Sequence, residues 1–190
     1  MKPDFYRDLM PSDAALHLVG ALNTIRDKLH DASQQWKLLD ETGRIPDTPS
    51  YTVLLQHAIG AQDLSREVLQ LTAGFAQSPH HTTRAGSAVL KRLSIAATMS
   101  SHAVPRFTET AEEALGLPQT TALADRDSRT NRMVINHASA RAYLRRASES
   151  LHHAVEELDD HLGFQRFLAT LTPQEGPPAP PPPKPGGRHR

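Results

Sequence analysis

Residues 12–43, SDAALHLVGALNTIRDKLHDASQQWKLLDETG, decide the fold. Ala15, Leu18, Leu22, Ile25, Leu29, Ala32, Trp36 and Leu39 recur at steps of three and four, which places one narrow apolar stripe along a helix. A stripe that narrow, sustained over several turns, is the seam of helices packed at a shallow angle, as in a coiled coil. Ser12 and Asp13 supply N-terminal caps and Gly43 a stop, so a first helix is expected over about 12–42.

The same spacing recurs along the chain. Thr48 as cap and Pro49 at the first helical position predict a second helix over about 49–77, with Leu54, His57, Ala61, Leu64, Val68, Leu71 and Phe75 on its seam. A third helix over about 84–116 carries Val89, Leu93, Ala96, Met99 and Ala103. Its stripe resumes at Phe107, Ala111 and Ala114, so Pro105 is expected to kink the helix rather than end it. The fourth, over about 128–162, carries Met133, His137, Ala140, Leu144, Ala147, Leu151, Ala154 and Leu158. Gly163 then separates it from a short amphipathic piece over 164–171. The expected fold class is all-α, an up-down four-helix bundle of long antiparallel helices over residues 1–171. Residues 172–190, rich in proline, are expected to form a disordered tail of polyproline II character.

Composition agrees with this and narrows function. Aromatic residues make up 5% of the chain, so the core is aliphatic and suited to close helix packing. Basic and acidic residues number 21 each, so no overall field draws the chain to nucleic acid or to an anionic membrane. Without cysteine there is no disulfide, thiolate metal site or cysteine nucleophile. No signal-peptide core or membrane-length apolar run is present, which makes a cytoplasmic location the default expectation. The excess of Arg over Lys and the abundance of Ala are a bias common in high-GC bacterial genomes. Gly-rich phosphate loops, G-x-S-x-G, H-E-x-x-H and calcium-loop motifs are all lacking.

The fourth helix is basic in its first half and acidic in its second. A functional reading makes Arg141, Arg145 and Arg146 a phosphate-tracking stripe for an accessory protein on nucleic acid. The zero net charge and the lack of interleaved aromatics argue against it. The structural reading pairs Glu109, Glu112 and Glu113 with Arg129 and Arg132, and Arg84, Lys91 and Arg92 with the acidic end, across an antiparallel hairpin.

Eleven histidines are many for this length, and two of them fall on core seams. His57 and His137 sit at similar depths in parallel helices and are expected in one layer, with His30 and His102 within a turn or two of it. Such a layer offers imidazole ligands to a divalent transition metal such as zinc, which an open site could use for hydrolysis. Residues 54–61, LLQHAIGA, and 137–141, HASAR, resemble bundles of the DinB type, many of which bind metal through one histidine of helix two and an HxxxH pair of a late helix. Arg141 stands where that pair's second histidine would be, so the resemblance implies an incomplete triad and no activity is carried over. The alternative is a pair of neutral, hydrogen-bonded histidines that fixes helix register. A second grouping, His80 and His81 near Asp160 and His161, is expected at one end of the bundle.

The leading expectation is a non-catalytic bundle, without cofactor, that acts as an interaction or accessory module. It would bind a protein partner, or a second copy of itself, through the Phe164, Phe167 and Leu168 segment or through Pro180, Pro183 and Lys184 of the tail.

Overall fold

A computed structural model describes residues 9–171. They form four helices: α1 (Ser12–Gln35), α2 (Tyr51–Gln77), α3 (Arg84–Gly116) and α4 (Leu123–Leu171), with 3-10 turns at Pro79–Thr82 and Leu117–Gln119. The tail positions Pro180, Pro183 and Lys184 lie outside the described residues. The helices pack antiparallel in the order α1, α4, α3, α2 around the bundle, while α1 and α2 meet only sparsely. Side-chain ties give the register. Ser148 Oγ donates to the Arg26 carbonyl across α4 and α1, Ser150 Oγ to the Arg92 carbonyl across α4 and α3, and the Ser65 and Ser101 hydroxyls pair across α2 and α3. Small hydroxyl side chains let these backbones approach closely while keeping each buried polar group bonded. Lys28 Nζ bridges the sparse seam to both oxygens of Glu67, at 3.0 and 2.7 Å.

The seam residues are the core. Leu22, Leu29, Val68, Leu93, Leu144, Leu151 and Leu158 are fully buried, and truncating any one of these leucines to alanine costs about 2–5 kcal/mol. Of the expected charge matching between α3 and α4, Glu113 carries the basic end, while Glu109 pairs with Arg106 of its own helix. Glu113 accepts from Arg129 at 2.7 Å and from Arg132 at 2.6 Å, and these guanidinium groups hold its carboxyl below the ordinary range. Arg92 stands 4.0 Å from Glu157 toward the other end.

The helix boundaries differ from the expected ones in four places. Helix α1 ends at Gln35 instead of 42, because Trp36 turns to extended backbone and carries its ring inward. Leu38, not Leu39, is then the buried residue, 8% against 41% exposed. Gly43 is no helix stop; it takes a positive φ of 77° within a turn that Asp40 organises, its Oδ1 accepting from the Thr42 and Arg44 amides. Helix α2 starts at Tyr51 with Ser50 as cap, its hydroxyl accepting from the Val53 amide, and Pro49 precedes the cap. Helix α4 begins five residues early, at Leu123, where Asp125 in the first turn complements the helix dipole. It also runs on through Gly163, despite a cost of about 1 kcal/mol relative to alanine. The separate 164–171 piece is therefore the end of α4. Helix α3 is continuous through Pro105, as the resumed stripe implied.

Candidate functional site

A layer of four rings crosses the core, from α2, α3, α4 and the residue that follows α1. Trp36 follows the last residue of α1 and lies flat on His57, with centroids 5.3 Å apart and planes 6° from parallel. Phe107 of α3 stands edge-on to Trp36, His57 and His137, at 5.3, 5.9 and 5.3 Å. Gly60, one turn after His57, makes the stacking possible: a Cβ there would sit 2.7 Å from Trp36 Cζ2. His57 Nδ1 and His137 Nε2 face each other at 3.5 Å, the long limit of a hydrogen bond. Two neutral rings satisfy that contact with one proton between them, whereas a second proton would set two N–H groups against each other. Burial lowers the pKa of His57. For His137 burial, then the charges of His57 and Arg141, lower it to about 4. Both rings are neutral at neutral pH.

The other two predicted imidazoles are not in this layer. His30 and His102 are exposed, His102 packing edge-on against Tyr143. A helix has one inward stripe, and residues flanking it point out once neighbouring seam positions are filled. Among the described residues no group of three or more His, Asp or Glu side chains is placed to hold a metal. In the second predicted grouping, His161 Nε2 bonds the Met10 carbonyl and His81 Nδ1 the Ser78 carbonyl, and among the described residues no group of three ligands is formed there either.

The three arginines do not form one stripe. Arg145 and Arg146 are exposed, but Arg141 is half-buried and its Nε donates to the Ser33 carbonyl at 2.6 Å. Helix α1 has no basic residue in its last turn, so Arg141 supplies from α4 the cation and donor that this helix end lacks.

A cleft of about 310 Å³ opens beside this layer, between the 37–43 segment and α4. His137 and Arg141 line it, and Leu38, Leu39, Val134 and Ala138 give it an apolar lining. Trp36 was placed on the stripe of the first helix but not in this layer, and Gly60 and the cleft were not singled out from the sequence. A single tryptophan on the same stripe spacing as the seam histidines was the available signal for its place here.

The distal end of α4 is the second feature. His161 and Gln165 anchor it, both bonding the Met10 carbonyl, and Gln165 also accepts from the Ser12 hydroxyl. Phe164, Phe167 and Leu171 lie around and beyond these anchors, 52%, 58% and 62% exposed, with Leu168 half-buried between them. No helix among the described residues is long and apolar enough to cross a membrane. No protein-family model matches the chain, and neither a curated protein nor a solved structure matches it, so site geometry alone carries the functional reading.

Proposed function

We propose that the chain is a non-catalytic interaction module that docks the distal end of α4 into an apolar groove of a protein partner. The observation behind this is the exposed spacing of Phe164, Phe167 and Leu171 on a continuous helix. With Leu168 they occupy positions i, i+3, i+4 and i+7, the anchor pattern by which an amphipathic helix fills a groove. At 49 residues α4 is about 73 Å long, against about 36 Å for α1, and its last six residues extend some 9 Å past Gln165. Large apolar side chains on such an extension cost solubility unless something covers them.

The metal reading has less support, since two imidazoles meet where a site would need at least three ligands. The nucleic-acid reading has less support, since Arg145 and Arg146 are exposed while Arg141 is half-buried against the end of α1, so the three do not make one stripe.

Affinity capture from the source cell tests the proposal, with wild type beside the Phe167→Asp/Leu171→Asp variant. Any captured protein is purified and its affinity measured for both. A direct partner whose binding falls at least about tenfold in the variant is expected. Capture of nothing, or a partner that binds both forms equally, would refute it.

A further inference from the structure

The cleft beside His137 combines features that act together. Arg141 is held in place through Nε by the Ser33 carbonyl, which leaves its two terminal nitrogens in a fixed plane with no carboxylate partner among the described residues. Lys37, on the facing segment, is likewise unpaired there. Of the two acids at the mouth, Asp40 is committed to its turn, accepting from the Thr42 amide and hydroxyl and the Arg44 amide, and Glu41 is exposed on the rim. That turn makes the rim rigid: the Asp40 amide bonds the Arg44 carbonyl and the Gly43 amide the Asp40 carbonyl. Behind the charges the walls are apolar, and Leu39 and Val134 present side chains that the bundle itself leaves open.

We propose that this cleft binds a small organic carboxylate, with the carboxylate on Arg141 and Lys37 and the apolar body against Leu38, Leu39, Val134 and Ala138. A pre-positioned guanidinium presents parallel N–H groups that match a carboxylate in shape and charge, and holding the side chain beforehand removes much of the entropic cost of binding. The volume equals about ten water molecules at ~30 Å³ each, which suits a body of one ring or a short chain. This inference is independent of what the end of α4 binds.

Benzoate and benzamide share one shape and differ in charge, so they probe the cleft directly. Each is titrated into the ¹⁵N-labelled full chain, following backbone amide shifts in wild type, Ala138→Leu and Arg141→Gln. Ala138 is exposed at the cleft wall on a helix, so leucine there fills the space without disturbing the core or the α1 end. Saturable shifts confined to residues 37–44 and 134–141 are expected for benzoate. Its affinity should fall at least about tenfold in each variant, and benzamide should bind wild type at least about tenfold more weakly than benzoate. Three results would each overturn the proposal: no saturable benzoate binding, equal binding of benzamide, or benzoate affinity unchanged by Ala138→Leu.

Discussion

Lowering the pH from 7.5 to 5 is expected to remove about 2 kcal/mol of folding stability through His137 alone. The unfolded chain protonates this residue near its ordinary 6.5, but the folded chain resists until about 4, because the ring is 3% exposed, faces His57 and has Arg141 one turn away. A group whose folded pKa is lowered folds in its neutral form. Its contribution is therefore complete above 6.5 and is lost as the pH falls toward 4, with a limiting slope of about 1.4 kcal/mol per pH unit. His57 acts in the same direction. The carboxyls that are held low, Asp40, Glu113 and Glu156, give stability that is present above their ordinary range and is lost as the pH falls below it, so the interval from 7.5 to 5 belongs to the histidines. Urea unfolding followed by circular dichroism and by the fluorescence of Trp36, at several pH values for wild type and His137→Leu, measures the effect. Wild type should lose about 2 kcal/mol relative to the variant over this interval. Parallel stability curves would show that the buried pair does not exclude protons, and the reasoning from burial would fail.

Three further predictions rest on the same geometry. Gly60→Ala gains about 1 kcal/mol in helix propensity, yet its methyl group would displace a Trp36 ring already boxed by His57 and Phe107; a net loss of about 1–2 kcal/mol and a red-shifted Trp36 emission are expected, and a stabilised variant would contradict the packing described. Arg141→Gln should cost about 1 kcal/mol in chemical denaturation by freeing the Ser33 carbonyl, whereas Arg145→Gln should stay within about 0.5 kcal/mol, and equal effects would remove the helix-end role of Arg141. Phe167→Asp should leave thermal stability nearly unchanged, because an exposed side chain contributes little to the core; a large loss of melting temperature would show that the end of α4 is packed rather than presented.

Most of the fold was legible because the apolar period is long and regular. Leu22, Leu29, Leu93, Leu144 and Leu151 were all placed on the seams, and each is buried. The boundaries were less legible, since they depend on tertiary terms. The stripe could not show that Trp36 would leave the helix to stack on an imidazole from α2, nor that α4 would ignore Gly163. The shared depth of His57 and His137 followed from the common rise of parallel helices. The outward turn of His30 and His102 did not, because flanking positions read alike in a sequence until the packing partners are known. The cleft was illegible for a related reason: its two sides are about a hundred residues apart, and the 37–43 segment was expected to be helix.

The ring layer has one more consequence, for how the molecule comes apart. It separates a large apolar cluster, which runs from Met10 to Leu162, from a small one made of Leu38, Leu54, Ala111, Ala114, Leu117 and Met133. The small cluster lies about one turn beyond the rings on three helices and holds the end where the 37–43 segment joins. Two apolar units joined through imidazoles that dislike charge are expected to open as two cooperative blocks. Backbone amides around Leu54, Ala114 and Met133 should exchange with solvent sooner than those around Leu93 and Leu151. Mild acid should widen that difference, opening the small block while the large one stays closed.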